Sequence, residues 1–150
     1  MWISDASYAN QEGMKSQIGY YCLFNDKHLF ARSTRTATVA GSTTAAELEA
    51  IRECTGDMEK IKWLAEELLG TTIGWKLYTD SEPILKSIRS AKPPNFRAKH
   101  NNVKLYQMKE YRTDKNLILE YIETSKNPAD ALTKGLEVQQ FGRLTKGIIR

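Results

Sequence analysis

Gly41-Ser42-Thr43-Thr44-Ala45-Ala46-Glu47-Leu48-Glu49-Ala50 is where this chain changes character. Short apolar and β-branched runs precede it, and the longest helical pattern of the sequence begins with it. Thr44-x-x-Glu47 has the form of a capping box, in which a hydroxyl and an acid three residues on satisfy each other's free backbone N–H groups. Ala46, Ala50, Ile51, Cys54, Met58, Ile61, Leu64 and Leu68 recur at helical spacing and mark an apolar stripe. Gly56 interrupts that pattern, and Gly70 suits the left-handed residue that closes a helix.

Upstream, Ile18 to Phe24 is rich in β-branched and aromatic residues, and Leu29 to Thr34 reads as its return strand across the turn Asn25-Asp26-Lys27. Met1 to Ala6 is a first apolar strand closing on Asp5. Downstream, Ile73 to Thr79 is a fourth strand closing on Asp80, and Pro83 suits the first turn of a short helix reaching about Ser90. A loop at 91–95, a helix from Arg97 to Arg112 and a fifth strand from Leu117 to Ile122 follow. Asn127 can cap a helix that has Pro128 in its first turn, with Asp130 beside it. An amphipathic segment from Val138 to Ile149 ends the chain. A hairpin meander followed by alternating helix and strand predicts an α/β fold with a five-stranded mixed sheet flanked by helices. With no repeat or linker, residues 1–150 are expected to form one domain.

Composition restricts the partners. The 41% hydrophobic and 27% charged content is ordinary for a globular chain, and no apolar run reaches the length of a membrane span. No signal-peptide layout is present, and Cys22 and Cys54 lack metal-ligand spacing. Both are expected to be buried thiols, which points to an intracellular, reducing compartment. Net charge is +4, but residues 86–115 hold nine basic side chains against two acids, the balance expected of a polyanion footprint. Trp2, Trp63 and Trp75 are expected in the core, and His28 on the surface.

Asp5, Glu47, Asp80 and Asp130 carry the chemistry. Two acids follow strands and two begin helices, so all four can meet at one edge of the sheet. Hard divalent cations take such oxygen ligands, and two ions roughly 3.5–4 Å apart can split a phosphodiester by in-line attack of water. Each acid alone has a plainer explanation. Glu47 could serve only the capping box, Asp130 the helix dipole, and Asp5 and Asp80 could be turn residues.

The ordered set of motifs resembles the ribonuclease H domain of copia-type long-terminal-repeat retrotransposon polymerases. The matching stretches are Lys15-Ser16-Gln17-Ile18-Gly19-Tyr20, Ser42-Thr43-Thr44-Ala45-Ala46-Glu47, Tyr78-Thr79-Asp80-Ser81, Lys99-His100, Tyr121-Ile122-Glu123-Thr124 and Asn127-Pro128-Ala129-Asp130 with Leu132-Thr133-Lys134. The resemblance implies a ribonuclease H-like fold and cleavage of the RNA strand of RNA/DNA hybrids, leaving 5′-phosphate and 3′-hydroxyl ends. It implies two Mg²⁺ ions, replaceable by Mn²⁺, held by Asp5, Glu47, Asp80 and Asp130. It also implies a reverse transcriptase domain preceding this one, no membrane partner and a cytoplasmic virus-like particle as location. Ala45 stands where the family usually has an acid, and Asn101-Asn102 replace an apolar residue and an acid after His100.

Ser42, Thr43 and Thr44 are candidates to read the RNA strand's 2′-hydroxyls, with Lys99, His100 and Lys104 on the DNA phosphates. His100 precedes a helix instead of lying before the last acid, so a helix-start hydrogen bond or phosphate contact is expected of it before proton transfer. Two other functions compete. One is a catalytically silent copy recruited by a host for protein binding, with a host partner and a possible nuclear location. The other is an integrase-like or resolvase-like nuclease, against which the acid at Glu47 argues.

Overall fold

In the computed structural model, which describes residues 1–25, 27–93 and 95–146, the first three strands form an antiparallel meander. They are β1 (Trp2–Gln11), β2 (Lys15–Phe24) and β3 (Lys27–Arg35). Helix α1 (Thr43–Leu69) follows, then β4 (Lys76–Thr79), α2 (Glu82–Arg89), α3 (Lys99–Thr113), β5 (Ile118–Tyr121) and α4 (Val138–Thr145). Parts of three sequence expectations lie outside the described residues: Asp26 of the first turn, Pro94 of the 91–95 loop and the last residues of the terminal segment. The strand order β3-β2-β1-β4-β5, with β4 parallel to both β1 and β5, is the expected mixed five-stranded sheet.

Side chains alternate across this sheet. Trp2, Tyr20, Cys22, Leu77 and Leu119 join Leu48, Ile51, Cys54 and Met58 of α1, together with α2 and α3, in the main core. Ile3 and Tyr21 point the other way and pack against Ala129. Cys22 and Cys54 are buried and free, as their spacing suggested.

Four local expectations need correcting. β1 does not stop at Asp5; its pairing with β2 carries it to Gln11, although its pairing with β4 covers only Trp2 and Ile3. Ser42, not Thr44, caps α1, its hydroxyl accepting the Ala45 N–H at 3.1 Å, so no Thr44–Glu47 box forms. The helix runs unbroken through Gly56, because packing of the flanking turns outweighs a propensity cost of about 1 kcal/mol. It closes on Gly70 in the left-handed region at φ 63°. The stripe is fully buried only as far as Met58, with Ile61 partly buried against the same core. Trp63, Leu64 and Leu68 are 64%, 52% and 76% exposed, so Trp63 is not a core residue. At 27 residues α1 is about 40 Å long, and its last turns outrun the strands it packs on.

The predicted helix at Asn127 is a 3₁₀ segment, Pro128–Leu132, capped by the Asn127 side chain, which accepts the Ala129 N–H. Its seat depends on Gly19, which lies opposite Asp5 in β2. A Cβ on Gly19 would sit 2.6 Å from Leu132 Cβ and 2.9 Å from Thr133 Cγ2. Gly19→Ala is therefore expected to cost about 1–3 kcal/mol in urea unfolding, as overpacking generally does. A change within about 0.5 kcal/mol, the scale of a neutral surface substitution, would show that the segment yields freely.

Candidate metal centre

Ile3 lies opposite Tyr78 in parallel register, so two residues further on Asp5 stands beside Asp80. Beyond this point β1 has β2 on one side and no paired strand on the other. It is also the place where the chain switches from one side of β1 to the other, a location where open α/β sheets characteristically form ligand sites. Glu47, in the second turn of α1, reaches into this gap. One carboxylate oxygen from each of Asp5, Glu47 and Asp80 lies within 4.8 Å of the other two.

Burial makes the cluster electrostatically expensive. Glu47 is 6% exposed, and burial first, then the charges of Asp5 and Asp80, push its carboxyl up to about 9. Asp5 is pushed up to about 6, chiefly by burial, while the Thr133 hydroxyl and Lys134 pull it the other way. Glu47 Oε2 is buried with no hydrogen-bond partner among the described residues. A carboxylate oxygen stranded beside two more carboxylates is what a bound cation would satisfy. The all-oxygen donor set suits Mg²⁺ or Mn²⁺ better than zinc or copper. Glu47 therefore has no capping function, the plainer reading of it.

Asp130 is buried close by but lies outside that trio. Its Oδ1 accepts Lys134 Nζ at 2.6 Å, and the same Nζ is 3.7 Å from Asp5 Oδ2. Asp5 Oδ2 also accepts the Thr133 hydroxyl. Burial tends to lower the Lys134 ammonium's affinity for its proton, but the hydrogen bond to Asp130 and the charges of Asp5, Asp130 and Asp80 raise it overall. Thr133 and Lys134 were recognised in the sequence only as part of a motif. A hydroxyl and a cation three and four residues past a candidate acid were the available signal.

The proposed substrate-binding residues are scattered. Thr43 is exposed at the start of α1, and Thr44 and Ser42 are half-buried beside it, the Ser42 hydroxyl already occupied by its capping bond. Lys99 and His100 are exposed in the first turn of α3. Among the described residues no side-chain cap bond forms there, which leaves the phosphate contact as the expectation for His100. Lys104 is paired with Glu49 and is only 19% exposed, which makes it a tether between α1 and α3. Asn102 holds the preceding loop, accepting the Phe96 N–H and donating to the Phe96 carbonyl.

The basic segment is likewise partly engaged by other groups of the chain. Lys86 and Lys115 pair with Glu82 and Glu59, while Arg89 and Lys109 donate to backbone carbonyls. Lys92, Arg97, Lys99 and Arg112 have no side-chain partner among the described residues.

No known family model matches the chain. It is 38% identical over 143 residues, 95% of its length, to the truncated transposon Ty1-A Gag-Pol polyprotein of Saccharomyces cerevisiae. The transposon Ty1-LR2 Gag-Pol polyprotein of the same yeast matches equally. The chain spans only 12% and 8% of those relatives. Among solved structures, LC11-RNase H1 in complex with an RNA/DNA hybrid superposes with a TM-score of 0.64 at 20% identity, over 88% of this chain and 91% of that one. RNase H1 from Halobacterium salinarum gives 0.61 at 16% identity, over 88% and 92%.

Proposed function

Because the chain belongs with the Ty1, copia-type Gag-Pol polyproteins and has a ribonuclease H fold, we propose that it cleaves the RNA strand of RNA/DNA hybrids in a divalent-metal-dependent reaction during reverse transcription. The observation that carries this reading is the trio Asp5, Glu47 and Asp80 with its unpartnered, buried Glu47 oxygen. These three residues would hold one Mg²⁺, and Asp5 and Asp130 would hold a second. Bound divalent cations supply an acidified water and stabilise charge on the leaving 3′-oxygen. Thr133 fixes the rotamer of the Asp5 carboxylate, and Gly19 lets the segment bearing Asp130 lie against β2. Thr43 and Thr44, beside Glu47 at the start of α1, would meet 2′-hydroxyls, and the exposed Lys99 and His100 would meet phosphate.

Purified chain incubated with an end-labelled hybrid should cut the RNA strand only with Mg²⁺ or Mn²⁺, leave the DNA strand whole and give 5′-phosphate ends. Equal cutting of duplex DNA would favour an integrase-like nuclease instead. A second reading, a silent module recruited for protein binding, is favoured by one feature. Trp63, Leu64, Leu68 and Leu69 form an apolar exposed end on α1. Folded protein that binds metal yet leaves the hybrid intact would support that reading.

A further inference from the structure

The ammonium of Lys134 lies between the two carboxylates that the proposed second ion would need. Nζ is 2.6 Å from Asp130 Oδ1 and 3.7 Å from Asp5 Oδ2. We propose that Lys134 is a built-in competitor for that second ion, holding Asp130 back from the trio until the hybrid arrives. The inference rests on the metal-dependent reading above and adds to it the order in which the cations enter.

Several features of the site support this. Asp130 is 3% exposed and Asp5 1%, so an unneutralised pair there would be costly, and Lys134 provides the charge. The occupant is also able to leave. Its side chain is 38% exposed on a flexible four-carbon stem, while the carboxylates are held by Thr133, Gly19 and the capped 3₁₀ turn. An incoming phosphate offers the ammonium a new anionic partner as the ion takes its place, so charge stays balanced through the exchange. The lysine's contact with the trio is the longer one, 3.7 Å to Asp5 Oδ2 against 2.6 Å to Asp130 Oδ1, so the trio's ion can enter first. Lys134 is on this view a positioning residue that couples the second ion to substrate.

The test is Mn²⁺ binding to the full chain without nucleic acid, followed by electron paramagnetic resonance and calorimetry. Wild type should bind one ion tightly. Lys134→Met should bind a second at least about tenfold more tightly than wild type, the scale of one charge acting on another at this range in a partly screened site. Lys134→Arg should restore single-ion binding, and Lys134→Met should unfold at lower temperature in chelator. Two tight ions in wild type, or the same isotherm in Lys134→Met, would overturn the proposal while leaving the nuclease reading intact. Absence of any bound ion in folded wild type would overturn both. A second ion that appears in wild type only with an uncleavable hybrid would support the coupling directly.

Discussion

Asp80→Asn is expected to lower hybrid cleavage by about a thousandfold or more, several kcal/mol of transition-state stabilisation, while leaving the fold intact. The substitution keeps the shape of the side chain and removes the charge of one of the three carboxylates whose oxygens lie within 4.8 Å of each other. Asp80 sits just past the end of β4, outside the strand's hydrogen-bond ladder, so the sheet does not depend on its charge. Its charge is in fact a burden in the absence of metal, since it helps push up the carboxyls of both Asp5 and Glu47. The variant should consequently unfold in chelator at the same temperature as wild type or higher, and lose most of the stabilisation that Mg²⁺ confers. Single-turnover cleavage and thermal unfolding, each with and without Mg²⁺, check both halves. Activity within tenfold of wild type would remove Asp80 from the catalytic set.

The second large effect is on stability against pH. Without a divalent ion the Glu47 carboxyl is pushed up to about 9, mainly by burial, from an ordinary value of 4.5 in the unfolded chain. Between those values the folded protein keeps a proton that the unfolded protein gives up. Stability is therefore full below about 4.5 and declines as pH rises toward 9, by up to about 1.4 kcal/mol per pH unit for this one group. Asp5, pushed up to about 6, adds to the decline only below that point.

Metal-free protein is expected to lose roughly 4 kcal/mol between pH 6 and pH 9 on this slope, and Glu47→Gln should flatten the profile. A cation in the site favours the ionised carboxylate, so Mg²⁺ binding near pH 7.5 should release about one proton, and added Mg²⁺ should stabilise the protein more as pH rises. Urea unfolding across pH, with chelator and with Mg²⁺, reads the sign directly. A metal-free stability that stays level or climbs between pH 6 and 9 would contradict the buried, charge-crowded placement of Glu47.

Much of the fold was legible because it is local. The β2–β3 hairpin announces itself by β-branched and aromatic runs, α1 by the spacing of Ala46, Ala50, Ile51, Cys54 and Met58, and its end by Gly70. Asn127-Pro128 marked a capped turn, which closes as a five-residue 3₁₀ segment instead of a longer helix. Where reading went wrong, a nearby pattern had two solutions of similar cost. Ser42 and Thr44 both offer a capping hydroxyl, and α1 begins directly after Ser42. The stripe through Leu64 and Leu68 looks like core in the sequence, but the helix extends past the core at that point.

The sequence by itself determined the element order, the mixed sheet that follows from it and which four acids are candidates for the site. Each of these depends on preferences that act within a turn or along a strand. Only the tertiary structure decided that Asp5, Glu47 and Asp80 share a trio while Asp130 is held by a lysine. It also decided that Gly19 makes room for that arrangement, and that Lys104 and Lys109 serve the fold. The Thr133–Asp5 bond joins residues 128 apart, and Asn127–Ser4 joins residues 123 apart. Contacts at such range come from how closely two packed surfaces can approach, a property of volumes and of where a single Cβ is missing, which no local pattern of residues encodes.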